Sequence, residues 1–266
     1  MYNFTYHRPT GLRQAGNMLS KLEEAKLLAG GQTLIPVMKQ RLASPTNIID
    51  LNRIEGLSGI ELKGRSIVIG AMTRHVEVAS SDVVRHNLPA LAELAEMVGD
   101  PQVRHMGTLG GSVANNDPNA DYPAACLGLG ATIITTKRRI PADDFFKGLF
   151  ETALEPDEII TKAMFPLAKK AGYIKFRNPA SRFALVGVFV SKRGSEIRVA
   201  VTGAGASGVF RVASFEEALK KRFAAKSLDG LTVPATGLAS DIHGSAEYRA
   251  HLIGVLAKRA VAKATA

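Results

Sequence analysis

Two spacings of apolar residues alternate along the chain. In the first fifty positions "NFTYH" reads as a short strand, and Leu12, Ala15, Leu19 and Leu22, with Met18 beside them, recur at helical spacing. The apolar run "AKLLAG" (25–30) stops at Gly30-Gly31. "TLIPVMKQRL" (33–42) carries helix formers, with Thr33 placed to cap them and Pro36 tolerable in the first turn. "NIIDLN" (47–52) is another strand, so this stretch predicts a small β-α-β-α-β unit.

The pattern then shifts. "GIELKGRSIVIGAM" (59–72) holds two β-rich runs around Lys63-Gly64 and predicts a hairpin. Thr73 is expected to cap a helix, and "PALAELAEMV" (89–98) is strongly helical. The stretch "TLGGSVANNDPNADYP" (108–123) reads as a loop, followed by a short helix at "PAACLGLG" and strands at "ATIITT" (131–136) and "PDEIITKAMFP" (156–166). Beyond about residue 170, "GYIKFRN", "FALVGVFVSK" and "EIRVAVTGAG" predict a three-strand meander with "RGS" as its second turn. Ser214 and Glu217 make a capping-box signature before "EEALKKRF", and "SAEYRAHLIGVLAKRAVAKA" is a long amphipathic helix. A domain boundary is expected near 168–172.

Composition narrows the class. The chain has 266 residues, 46% hydrophobic and 22% charged, enough for a sizeable core and for two domains. No apolar run reaches membrane-spanning length, and "MYNFTYHRPT" lacks a secretory h-region. A single cysteine, Cys126, excludes an internal disulfide and an iron–sulfur cluster built from this chain alone, and agrees with a reducing, cytoplasmic setting. The net charge of +10 is scattered, without a basic stripe interleaved with aromatics, so a solvated basic face is favoured over nucleic-acid binding.

Several motifs fail on context. "GAGASG" (203–208) has dinucleotide-loop spacing, but the extended "VFRVAS" follows it where a helix should open. "DPNAD" (117–121) starts like a calcium loop, yet Tyr122 and Gly128 occupy the Gly and Glu positions. Asp117 and Asp121 could form an acid/base pair, or Asp117 could simply build an Asx turn. The six histidines show no zinc spacing, so no metal site is expected.

Two glycine pairs remain. In "AGGQT" (29–33), Gly30 and Gly31 at a strand-to-helix junction let backbone N–H groups face a ligand, and the helix start adds its positive dipole end. Gln32 and Thr33 add side-chain donors. "TLGGS" (108–112), with Asn115 and Asp121 behind it, supplies a second such corner. Together they make a clamp suited to the diphosphate and hydroxyls of a dinucleotide.

The pair "LLAGGQTLIPVMKQRL" and "VRHMGTLGGSVANNDPNADYPAACLGLGATI" resembles the FAD-binding medium subunit of the molybdenum hydroxylases. The likeness is greatest to the carbon monoxide dehydrogenase type, and more distant to the xanthine dehydrogenase flavin domain. It spans nearly the whole chain, "FTYHRPTGLRQA" and "PDEIITKAMFP" included. The resemblance implies an α+β fold: a two-subdomain α/β FAD-binding domain of PCMH type over 1–169 (subdomains about 1–56 and 57–169). A C-terminal domain over 170–266 with a three-stranded antiparallel sheet and helices follows. It further implies that Leu28, Ala29, Gly30, Gly31, Gln32, Thr33 and Leu34 wrap the FAD diphosphate, with Thr108, Gly110, Gly111, Ser112 and Asn115 on a second phosphate-side motif. Asp121 would hold a ribityl or ribose hydroxyl, Ile160 or its neighbour Thr161 would touch the isoalloxazine, and Arg177 takes a position usually held by Lys. Gln32-Thr33 replaces a common His-Ser, and "PASRFALVG" lacks an acidic residue often found there. The expected partners are a small subunit with two [2Fe–2S] clusters and a large molybdenum-cofactor subunit, in a dimer of heterotrimers. A stand-alone flavin oxidase, a basic nucleic-acid-binding module and an assembly protein without FAD are the rival readings.

Overall fold

A computed structural model describes residues 1–266. The first unit runs β1 (Thr5–His7), α1 (Leu12–Lys21), β2 (Ala25–Leu28), α2 (Leu34–Lys39), β3 (Asn47–Asp50). Its strands pair in parallel in the order β1-β3-β2, and parallel pairing needs the helical crossovers that the sequence supplies. Ala15, Ile49, Leu51 and Leu57 bury together with Met72 and Ile159 of the next unit, so the two share a small core.

The second unit opens with the expected hairpin, β4 (Ile60–Lys63) and β5 (Ser66–Gly70), turned at Gly64 with φ +60°. Six helices follow: α3 (His75–Ser80), α4 (Asp82–Asn87), α5 (Pro89–Glu96), α6 (Pro101–Met106), α7 (Leu109–Asn115) and α8 (Tyr122–Leu129). Next come β6 (Thr132–Thr135), β7 (Arg139–Pro141), the single turn α9 (Ala142–Phe145), the small hairpin β8 (Phe146–Gly148) and β9 (Glu151–Thr152), and β10 (Ile160–Pro166). Strands β4-β5-β10-β6-β7 form one antiparallel sheet.

Two expectations are corrected here. Thr73 does not cap α3. Its hydroxyl accepts the Gly59 N–H and donates to the Gly59 carbonyl, while the Arg74 N–H donates to Glu77 at the helix start. The "TLGGS" stretch is not a loop either: Thr108 is the N-cap of α7, and its Oγ1 accepts the Gly111 N–H at 3.1 Å.

The third unit is a meander, β11 (Lys170–Arg177), β12 (Ala184–Arg193) and β13 (Glu196–Thr202), antiparallel throughout. A two-residue fourth strand, β14 (Phe210–Arg211), extends the three that were expected. Helices α10 (Ala213–Lys221) and α11 (Ala246–Thr265) cover one face. Residues Ala184–Ser191 of β12 are all buried. Val186, Val188 and Val190 meet the core of α10 and α11, while Phe189 joins the core of the second unit. Burial on both faces explains an apolar run without alternation. The Ser214–Glu217 capping box does not form, because α10 begins at Ala213 with Val212 as its N-cap and Ser214 already lies inside it; Glu216 turns inward instead and accepts the Val199 N–H and Arg211. Arg249 bolts α11 to the sheet, donating to the Leu185 and Gly203 carbonyls and pairing with Asp241.

Candidate functional site

A cleft of about 580 Å³ lies where the three units meet. That is within the range of small-molecule sites, roughly 300–1,000 Å³. Its walls are the Ala29–Leu34 corner, the starts of α3 and α7, the start of β10 and the turn between β11 and β12.

The two glycine pairs behave differently. At the first, none of the amides of Gly30, Gly31, Gln32, Thr33 and Leu34 donates to another group of the chain. Gly31 takes φ +72°, the left-handed conformation that suits glycine, and α2 begins at the end of the run. Five consecutive free donors at a helix start form an anion cradle. At the second pair the amides are already engaged: Leu109 donates to Thr73, Gly110 to Ala71, and Gly111 and Ser112 to Thr108. What α7 offers the cleft is the side chains of Ser112 and Asn115.

The corners also touch. A methyl on Gly30 would sit 2.7 Å from Gly107 Cα and 2.8 Å from the Met106 carbonyl carbon, and closer still to that carbonyl oxygen. Gly110 meets the Ala71 backbone in the same way. Both glycines are therefore needed for close backbone packing, and Gly30 packs through the side where a Cβ would sit while its N–H stays free with those that follow it.

The carboxylates and Lys175 in the cleft are tied down. Asp121 accepts from the Tyr173 hydroxyl at 2.5 Å and from Lys175 Nζ at 2.8 Å, with both partners of the ion pair buried. Burial pushes the Asp121 carboxyl up, against the pull of the Lys175 ammonium and the two hydrogen bonds. Glu158 is buried; burial would raise it, but Arg138, Thr135 and the Glu155 amide hold it down to about 2. Asp117 makes the Asx turn, accepting the Asn119 N–H at 2.8 Å. His75 is pushed down to about 4 by burial and by Arg104, so its ring is neutral at pH 7. Its Nδ1 has no partner, and its ring packs 5.3 Å from that of Tyr122, whose hydroxyl is also unpartnered.

Ala29–Leu34, Thr108, Gly110, Gly111, Ser112, Asn115, Asp121 and Ile160 all line the cleft. Leu28 lies behind it as the last residue of β2, with its carbonyl on the Leu51 N–H. Thr161 donates to the Ile134 carbonyl and faces the sheet. Arg177 is exposed and does not line the cleft; Lys175 does. The pairing register slips after Phe176, which takes Arg177 out of the alternation that places Lys175 inside. Lys26, His75, Val98, Glu158 and Phe183 also line it, without a signal in the sequence. None belongs to a glycine or Asx motif, and single residues of these types carry no spacing signal.

The model of the FAD binding domain in molybdopterin dehydrogenase matches residues 2–168. The chain belongs to this family. It is 37% identical to the carbon monoxide dehydrogenase medium chain of Hydrogenophaga pseudoflava, over 97% of this chain and 96% of the relative. It is 36% identical to the nicotine 6-hydroxylase medium subunit of Paenarthrobacter nicotinovorans, over 98% and 97%. Its structure superposes with a TM-score of 0.87 on that of carbon monoxide dehydrogenase from Hydrogenophaga pseudoflava lacking the Mo-pyranopterin moiety, at 35% identity and covering 99% and 98% of the two chains. As a member of the molybdopterin dehydrogenase FAD-binding family, this chain is an FAD-binding subunit of an oxidoreductase, of the medium-subunit type. The cleft fits that cofactor: five free amides suit a diphosphate, and the volume suits a long ligand. No helix is long and apolar enough to cross a membrane.

Proposed function

We propose that the chain is the electron-relaying subunit of a molybdenum hydroxylase. Electrons enter from a small partner with two [2Fe–2S] clusters, fed by a large molybdenum-cofactor subunit that oxidises the substrate, and they leave to quinone, dioxygen or NAD. The assembly is a dimer of heterotrimers in the cytoplasm, and residues 1–169 and 170–266 act as the FAD-binding and C-terminal domains. The observation that carries this reading is the division of labour among polar groups. Five amides at Gly30–Leu34 are free for an anion, whereas Asp117, Asp121, Glu158 and Lys175 are each bonded within the chain. Such a cleft holds a cofactor, and its neutral imidazole, His75, is held down to about 4 and is a weak base for a substrate proton, which favours a relay over a self-sufficient oxidase.

FAD, when bound, supplies the one- and two-electron redox chemistry. The chain's own part is to fix the diphosphate at Gly30–Leu34, to present Ser112 and Asn115 to the ligand's polar groups, and to line the remaining wall with Ile160 and Phe183. In the test, the full chain is titrated with FAD and then used, flavin-loaded, to capture partners from its source. Saturable binding and co-purification of an iron–sulfur protein with a molybdenum protein are expected. Substrate oxidation by the chain alone, or salt-sensitive nucleic-acid binding without flavin uptake, would overturn the proposal.

A further inference from the structure

The amide cradle requires the Ala29–Gly30 peptide to face one way, and a residue outside the cleft holds it there. Asn52, exposed just after β3, donates from Nδ2 to the Ala29 carbonyl at 3.2 Å and to Asp50 Oδ1 at 2.6 Å. Its own N–H donates to the same Asp50 oxygen at 2.9 Å. The other Asp50 oxygen accepts from the Tyr6 hydroxyl and faces Arg8 at 3.6 Å. Burial would raise the Asp50 carboxyl, but the Tyr6 and Asn52 hydrogen bonds hold it below the usual range, so it stays an acceptor. Only the NH2 end of an Asn side chain can serve two acceptors at once, which fixes the orientation of this side chain.

A trans peptide is planar, with its carbonyl and N–H pointing in opposite directions. Pulling the Ala29 carbonyl towards Asn52 therefore aims the Gly30 N–H away from Asn52. That amide has no partner in the chain, Ala29 and Gly30 both line the cleft, and Asn52 does not. We propose that Asn52, anchored on Asp50, is a positioning residue that orients the Ala29–Gly30 peptide for binding the diphosphate. The relay runs from the N-terminal strand through Tyr6, Asp50 and Asn52 to the first donor of the cradle, and none of these three side chains lines the cleft. This inference rests on reading Gly30–Leu34 as the diphosphate site.

The test measures binding of FAD and of ADP, which has the diphosphate without the flavin ring, to the full-length apo chain. Wild type is compared with Asn52→Ala and Asn52→Asp, and apo thermal midpoints are recorded alongside. Both variants should bind both ligands more weakly, by about two- to tenfold for Asn52→Ala, the range of one hydrogen bond. Asn52→Asp should lose more, because a carboxylate would face Asp50 and a carbonyl. The apo midpoint of Asn52→Ala should hold, since the side chain is exposed, and it is this variant whose midpoint is compared with affinity. Wild type that takes up FAD without competition from ADP would sink the diphosphate assignment itself. Wild type that binds both, with variants binding equally well, would overturn the role of Asn52 alone. A midpoint that falls in step with affinity would show Asn52 to be a general brace and would overturn its role too.

Discussion

Replacing Gly30 by Ala should separate two backbones that the cleft needs in contact. The added methyl carbon would lie 2.7 Å from Gly107 Cα and 2.8 Å from the Met106 carbonyl carbon, whereas ordinary contacts start at 3.4 Å. The obstructing atoms are backbone and cannot rotate aside. The Met106 carbonyl oxygen is nearer still, so one segment must move by roughly 0.9–1.3 Å, and overpacking of this kind costs about 1–3 kcal/mol. For a chain of this size, a midpoint shift of about 2–4 °C per kcal/mol implies a thermal midpoint roughly 2–12 °C lower. The same displacement drags the first cradle amides off a bound diphosphate. Losing one hydrogen bond to a charged group should weaken FAD binding about ten- to hundredfold. Differential scanning fluorimetry of the apo chain and flavin fluorescence titration read the two effects separately. Gly16→Ala is the control: it lies within α1 with nothing near its would-be methyl, and it should stabilise by about 0.5–1 kcal/mol. If Gly30→Ala melted with wild type and bound FAD within about twofold of it, the described contact between the corners would be wrong.

Two further outcomes follow from buried groups. His75, held down from 6.5 to about 4, takes up a proton in the unfolded chain before it does so in the folded one. Its contribution to stability is therefore complete above pH 6.5 and is lost as pH falls towards 4. His75→Phe should flatten that part of the urea-midpoint profile of the apo chain, and an unchanged slope would refute the burial argument. Arg249→Met would leave the Leu185 and Gly203 carbonyls without their donor, at about 1–3 kcal/mol for each stranded acceptor. Asp241→Asn removes only a half-exposed ion pair and should cost less than about 1 kcal/mol by the same urea measurement.

Much of the fold could be read from local pattern, and its limits are physical. The hairpin at Gly64, the unbroken apolar run at 184–190 and the Ser245-capped helix at 246–265 each carry their signal within a few residues. The glycine pairs identified the cleft for the same reason, since glycine marks a backbone that must come close to something. They could not reveal what it comes close to. The amides of Gly110 and Leu109 are taken by Ala71 and Thr73, partners remote in sequence, and that contact also supports a helix where two glycines argue against one. Lys175 and Arg177 are equivalent by alternation until the pairing register slips between them, and such a slip depends on the neighbouring strand. His75 gave no warning, because a lone histidine at a helix start becomes notable only once burial leaves its Nδ1 without a partner.

The cleft is walled by segments from all three units, so a bound cofactor acts as a tie between them. A ligand that recognises only the assembled walls adds to the free energy of the native state by mass action, about 2.7 kcal/mol at a free concentration one hundred times its dissociation constant. Flavin supply would thereby govern how long the subunit survives proteolysis before assembly, making its abundance a readout of cofactor availability.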